Sequence, residues 1–103
     1  MKSLYDSVSE DCSKIVTQSY STSFSLATKM LDQSIRNHIY NIYGFVRFAD
    51  EIVDTFHDFP KKELLDRFEE DLFYSINNRI SLNPILNSFQ NTVNTFKIEH
   101  KLI

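Results

Sequence analysis

The chain has 103 residues, a net charge of −3 at pH 7 and a hydrophobic content of 42% that includes nine Phe and five Tyr. So many bulky apolar side chains exclude a disordered chain, and the small negative charge excludes the basic surface of a nucleic-acid-binding protein. One glycine and two prolines leave room for few turns. The composition therefore predicts one all-α domain over residues 1–103.

The N-terminal residues and the single cysteine bear on the cellular compartment. Cys12 has no partner for an internal disulfide, which fits a reducing environment. Met1–Asp6 lacks the apolar stretch of a signal peptide, and no apolar run approaches the roughly 18 residues of a membrane span. We therefore expect a soluble, cytoplasmic protein, although one apolar face could rest on a membrane surface.

A first helix is predicted over residues 3–19, where apolar residues recur at a period near 3.6 and are expected to face the core: Leu4, Val8, Cys12, Ile15 and Val16. The hydroxyl-rich residues 20–25 favour caps and turns over a continuous helix. We expect a break there, with Ser21 or Ser23 capping a short helix to about Met30. Two interpretations stay open: an N-cap alone, or hydroxyls and free N–H groups that suit a phosphate.

A long central helix is predicted from about residue 33 to residue 56, capped by Asp32 or Ser34. Gly44 lies in its middle, at a cost near 1 kcal/mol relative to alanine. Either a neighbouring helix approaches closely at this glycine or a ligand needs the space. Both explanations remain open from the sequence.

Two more helices follow, over residues 61–79 and about 84–100. The first is amphipathic, with a solvated acidic face, and the second begins with a cap at Asn83 and Pro84 in its first turn. The acidic face consists of Asp66, Glu69, Glu70 and Asp71. In total, the pattern predicts four main helices and a short one.

Four polar residues form one line along the central helix: Tyr43, Arg47, Asp50 and Asp54. Their spacing of i, i+4, i+7 and i+11 places them in a wedge roughly 60° wide, and Glu51 flanks it. The rest of this segment is mostly apolar, so the helix is expected to be buried nearly all round. Because burying uncompensated charges costs several kcal/mol per ion, the line must face a solvent-filled cavity, a metal ion or a partner charge, and we interpret it as the wall of an active-site cavity.

Carboxylates at this spacing suit a hard cation. Mg²⁺ is held by one or two carboxylates, waters and substrate phosphates, so Asp50, Glu51 and Asp54 are candidate metal ligands. Mn²⁺ could replace Mg²⁺. Arg47 could pair with a diphosphate oxygen, and Tyr43 adds a hydroxyl. The alternative is an ion pair within the helix, between Arg47 and Asp50 or Glu51.

Two runs of residues resemble the start of the squalene/phytoene synthase family. The first is Tyr20-Ser21-Thr22-Ser23-Phe24, and the second, preceded by Arg36, is Ile39-Tyr40-x-x-Tyr43-x-x-x-Arg47-x-x-Asp50-Glu51-x-x-Asp54. The second run resembles the family's first aspartate-rich motif. The resemblance implies the all-α isoprenoid synthase fold and places Ser21, Ser23, Phe24 and Arg47 at a substrate diphosphate.

The resemblance also implies a reaction. Two prenyl diphosphates, farnesyl or geranylgeranyl, would condense head-to-head to squalene, dehydrosqualene or phytoene with Mg²⁺ and loss of diphosphate. Tyr43, Arg47, Asp50 and Asp54 would be the catalytic residues. The match covers only the N-terminal part of a family domain, without the second aspartate-rich motif. We therefore expect the chain alone to be inactive, to expose apolar surface and to self-associate.

A second hypothesis is a non-catalytic helical scaffold derived from the same family. Its acidic line would pair with the cations of a partner protein. Binding of Mg²⁺ and a diphosphate separates this hypothesis from the enzyme.

Overall fold

The computed structural model describes residues 1–103 and contains only helices and their connections. This confirms the predicted all-α class and the count of four main helices and a short one. None of the helices combines the length and the apolar character needed to cross a membrane. The elements are α1 (Lys2–Tyr20), α2 (Thr22–Thr28), α3 (Gln33–Asp54), α4 (Lys61–Asn78), α5 (Pro84–Phe96) and a 3₁₀ turn (His100–Leu102).

Three side-chain caps set the helix starts. The Ser21 hydroxyl oxygen accepts a hydrogen bond from the Phe24 N–H at 3.1 Å, so Ser21 rather than Ser23 caps α2. Asp32 accepts from the Ser34 N–H at 2.9 Å and caps α3. The Asn83 side-chain oxygen accepts from the Ile85 N–H and caps α5. Each cap satisfies backbone donors that the first turn leaves free.

The end of α5 differs from the prediction. Its helix stops at Phe96 rather than near residue 100, because Lys97 adopts a left-handed conformation with φ of 53° and ψ of 46°. The Lys97 N–H still donates to the Val93 carbonyl, which closes the last turn. Apolar periodicity does not reveal a residue with left-handed backbone angles, so the helix was predicted to extend beyond Phe96.

The hydrophobic core lies between α3, α4 and α5. Its buried side chains come from α4 and α5: Leu72, Ile76, Leu86, Phe89 and Val93. The Phe45 ring of α3 stacks on Phe89 of α5, with centroids 4.0 Å apart, and on Phe68 of α4, with centroids 5.6 Å apart. Burial of these apolar side chains provides the main driving force for packing α3 onto α4 and α5.

The predicted orientation of α1 is wrong. Its buried residues are Ser9, Ser13 and Thr17, whereas the expected core residues Leu4, Val8 and Ile15 are exposed. The reason is size: small side chains let the α1 backbone approach α3 and α5 closely, and large ones do not.

Gly44 of α3 packs closely against Ser13 of α1. A Cβ atom at Gly44 would lie 3.3 Å from the Ser13 hydroxyl oxygen, which itself lies 2.5 Å from the Ser88 hydroxyl oxygen on α5. The neighbouring helix thus accounts for the glycine. No ligand is needed to explain it.

Candidate functional site

The predicted polar line is present on α3. Tyr43, Arg47, Asp50 and Asp54 all belong to this helix, which ends at Asp54, so their spacing puts them on one side over successive turns. Tyr43 and Arg47 are half-buried, and Asp50 and Asp54 are exposed. The line therefore runs from the packed part of the bundle out to the surface.

The solvent-filled cavity expected beside this line is not found, so that expectation was wrong. Neither Asp50 nor Asp54 lines any of the larger pockets. The helix is not buried all round, because apolar residues beside the line are 37–49% exposed. Together with the two aspartates they form what we call the open face of α3: Ile35, Ile42, Val46, Asp50, Val53 and Asp54. Exposed carboxylates bear little desolvation cost, so burial gives no argument for a cavity.

The short helix α2 lies against the start of this line. The Phe24 ring stacks on the Tyr43 ring with centroids 4.9 Å apart and an interplanar angle of 24°. Ser21 is half-buried at the start of α2, and Ser23 is exposed beside it. The structure therefore brings the predicted diphosphate element and the polar line together through the pair Phe24 and Tyr43.

A second contact fixes the other end of α2. The Arg36 guanidinium donates hydrogen bonds to the Lys29 carbonyl at 3.0 Å and the Leu31 carbonyl at 3.1 Å. Hydrogen bonds from the Ser34 N–H and hydroxyl lower the pKa of Asp32 in the same connection. Arg36 and Tyr43 are two helical turns apart, so α2 is held on α3 at both of its ends.

Arg47 contacts Glu51 and Tyr20. Its guanidinium lies 3.3 Å from a Glu51 carboxylate oxygen and 5.2 Å from the centre of the Tyr20 ring. Its Nε is buried and has no hydrogen-bond partner. The intrahelical ion pair is therefore present with Glu51 and not with Asp50. Helical periodicity did not predict the contact of Tyr20 with Arg47; the only sequence signal at Tyr20 was its place among the hydroxyl-rich residues 20–25.

Asp50 and Asp54 remain free. Neither takes part in any of the five ion pairs of the chain. No three His, Cys, Asp or Glu side chains come together as a ready-made metal site. Of the three predicted metal ligands, two are thus unpaired at the surface and the third, Glu51, is held by Arg47.

A mostly apolar pocket lies on another side of α3. Its volume is about 430 Å³, and it lies between α3 and α4. Its α3 residues Phe48 and Ile52 are about half a turn round the helix axis from Asp50 and Asp54. This pocket is therefore not the cavity that the polar line was expected to border. Its other lining residues are Tyr20, Glu51, Phe56, Leu64, Arg67, Phe68, Asp71 and Asn83.

Comparison with known proteins gives one match. The family model described as squalene/phytoene synthase matches residues 17–103. This segment contains the hydroxyl cluster, α2 and the whole polar line of α3. No curated protein and no solved structure matches the chain significantly. Since the match covers most of its length, the chain belongs to the squalene/phytoene synthase family.

Proposed function

We propose that the chain provides the metal- and diphosphate-binding side of a head-to-head prenyltransferase. The enzyme would condense two molecules of farnesyl or geranylgeranyl diphosphate to dehydrosqualene or phytoene, with release of diphosphate, or to squalene where a hydride donor also supplies the reducing equivalents. One observation carries the proposal: two unpaired carboxylates lie on one line of α3 with an arginine whose Nε has no acceptor. All three residues fall inside the segment that the family match covers.

The two aspartates fit Mg²⁺. Both are exposed, neither has an ion-pair partner, and they are one helical turn apart. Proteins usually bind Mg²⁺ through one or two carboxylates and leave the remaining positions to water and phosphate oxygens. When bound, the ion would neutralise charge on the departing diphosphate. Mn²⁺ takes the same oxygen ligands and could substitute.

Arg47 suits the diphosphate itself. A buried nitrogen donor without a partner is unfavourable, and the Nε of Arg47 is such a donor. Because a ligand does not reach the buried Nε, the terminal nitrogens of the part-exposed Arg47 side chain are the ones that would donate to phosphate oxygens, two at once. We assign to Arg47 the stabilisation of the negative charge that develops on the departing diphosphate, because fixed hydrogen-bond donors are most effective there.

Tyr43 and the start of α2 complete this side of the site. The Tyr43 ring is fixed by its stacking on Phe24, and we assign its hydroxyl to a hydrogen bond with the diphosphate. The Ser21 oxygen accepts the cap hydrogen bond, which leaves its O–H free to donate. The exposed Ser23 hydroxyl can both donate and accept a hydrogen bond. We assign both serines to the substrate diphosphate.

We propose that the 103 residues bind diphosphate but do not complete the reaction alone. Loss of diphosphate leaves an allylic cation, which the double bond of the second substrate must reach before water does. The open face of α3 borders solvent and cannot exclude water. Further protein must cover this face for turnover, and covering it would also bury its exposed apolar side chains.

Binding of inorganic pyrophosphate with and without Mg²⁺ tests the proposal. We expect the wild-type chain to bind only with the metal, and Asp50→Asn or Asp54→Asn to weaken binding at least about tenfold. Asp66→Asn is the matched control: it removes the same charge from an exposed acidic residue of α4. Binding by Asp50→Asn at wild-type strength, or none by the wild type, would favour the non-catalytic scaffold.

A further inference from the structure

Arg47 is held by two side chains that approach it from different helices. Glu51 follows it by one turn on α3, with its carboxylate oxygen 3.3 Å from the guanidinium. Tyr20 is the last residue of α1, and the centre of its ring is 5.2 Å from the guanidinium carbon. We call these three residues the arginine clamp.

The Arg47–Glu51 pair of the clamp is more protected from water than the other ion pairs of the chain, although the Tyr20 ring is half exposed. The Arg47 and Glu51 side chains are 25% and 17% exposed, whereas the next least exposed pair, Lys2 and Asp6, has 50% and 33%. A partly buried pair is less screened and holds its geometry better than a surface pair. The cation over the Tyr20 ring adds a second attraction.

Glu51 therefore differs from the aspartates on either side of it in the chain. The carboxylates of Asp50 and Asp54 are unpaired, while that of Glu51 faces Arg47 and the pocket between α3 and α4. A carboxylate that already neutralises an arginine is a poor ligand for a second cation. The three acidic residues therefore differ in function: Asp50 and Asp54 are available to a metal ion, and Glu51 holds Arg47.

We infer that Glu51 and Tyr20 are positioning residues that hold Arg47 for a diphosphate, and that Glu51 is not a metal ligand. The inference rests on the proposed function, since it names what holds the anion-binding group of that site. An unheld arginine would lose much of its side-chain freedom on binding. A clamped arginine has lost that freedom before the ligand arrives, so binding costs less.

Neighbouring acid-to-amide changes separate the two functions. Glu51→Gln and Asp50→Asn remove the same charge one residue apart, and pyrophosphate affinity is measured for both over a range of Mg²⁺ concentrations. We expect Glu51→Gln to weaken pyrophosphate about fivefold to tenfold and to leave the Mg²⁺ midpoint unchanged. Asp50→Asn should raise that midpoint about tenfold. A raised midpoint in Glu51→Gln would show a metal ligand and overturn the inference.

Two substitutions test whether the aromatic ring of Tyr20 helps to hold Arg47. Tyr20→Leu removes the aromatic face and should weaken pyrophosphate binding about threefold. Tyr20→Phe keeps the ring and should restore most of the wild-type affinity. Equal affinities for Tyr20→Leu and the wild type would overturn the part of the inference that concerns Tyr20.

A measurement without ligand separates failure of the clamp from failure of the proposed function. In the NMR spectrum of the free chain, the Tyr20 ring should shift the Arg47 side-chain protons upfield. Tyr20→Leu should abolish the shift, Tyr20→Phe should retain it, and Glu51→Gln should reduce it. If these shifts are present but the wild type binds no pyrophosphate, the clamp stands and the proposed function fails, together with the clamp's assigned purpose. If the shifts are absent, the clamp itself is refuted.

Discussion

The inner and open faces of α3 share one helix but are built for different tasks. On the inner face, Asn41, Gly44 and Ile52 are buried, and the glycine lets α1 pack against α3 at van der Waals distance. On the open face, Val46, Asp50 and their neighbours border solvent. The inner face is fixed by packing, whereas the open face keeps carboxylates unpaired. This helix therefore buries its structural residues and leaves Asp50 and Asp54, two of its candidate metal ligands, exposed and unpaired.

The largest effect on stability is expected on the buried side of the bundle. Leu86 is fully buried in the core beside Phe89 and Val93. Leu86→Ala leaves a cavity there and should lower the free energy of unfolding by about 2–5 kcal/mol. Val46→Ala on the open face should lower it by less than about 0.5 kcal/mol. Urea unfolding measures the free energy of unfolding of both variants, and equal losses would contradict the difference between the buried side of the bundle and the open face.

The next effect concerns the contact between α1 and α3. Gly44→Val forces side-chain atoms against Ser13 and should destabilise the chain by about 1–3 kcal/mol. Because the cause is a clash between these two residues, Gly44→Val combined with Ser13→Gly should lose less stability than the sum of the single changes. Strictly additive losses in urea unfolding would show that the contact is not tight.

A local effect is expected where α2 meets α3. Arg36→Gln removes the hydrogen bonds to the Lys29 and Leu31 carbonyls, which charge makes stronger than ordinary ones. Amide hydrogen exchange in α2 should speed up about tenfold, with little change in α5. Arg67→Gln, which breaks an exposed pair with Glu63, is the matched control. Unchanged exchange in α2 would contradict the two-point attachment.

The smallest effect is a pH dependence at the contact between α1 and α5. A hydrogen bond from Lys2 is the largest cause that lowers the pKa of Asp6 below its ordinary 3.8. Burial, next in size, raises this pKa, and a smaller contribution from the Asn87 amide hydrogen bond lowers it. A carboxyl whose pKa falls on folding stabilises the chain above its unfolded pKa, and this contribution disappears as the pH falls through the folded pKa. Asp6→Asn should therefore be less stable than wild type at pH 6, and the difference should shrink below pH 3.8. A difference that persists in acid would contradict this assignment.

The sequence predicted the starts of α2, α3 and α5 well because each of these three has a local chemical cause. Ser21, Asp32 and Asn83 carry side-chain oxygens that bond the first free N–H groups. The end of α5 depends on the backbone angles of Lys97, which side-chain chemistry does not reveal. The buried face of α1 could not be read from hydrophobicity, since Ser13 is buried for its small size and Val8 is exposed.

The site was predicted in part. Spacing alone placed Tyr43, Arg47, Asp50 and Asp54 on one side of a helix, and α3 confirms that helix. Periodicity could not show that the apolar residues beside the line stay exposed, because that depends on how many helices surround α3. Nor could it show Tyr20 beneath Arg47, which is a contact between two helices.

We propose above all that Asp50 and Asp54 hold a metal ion for a diphosphate. Paramagnetic Mn²⁺, added at low concentration with pyrophosphate, tests it directly because it broadens the NMR signals of nearby amides. We expect selective broadening from Arg47 to Asp54, and none beyond background at Asp66–Asp71, which carries four carboxylates against three. Equal broadening of both regions, or stronger broadening on α4, would contradict it.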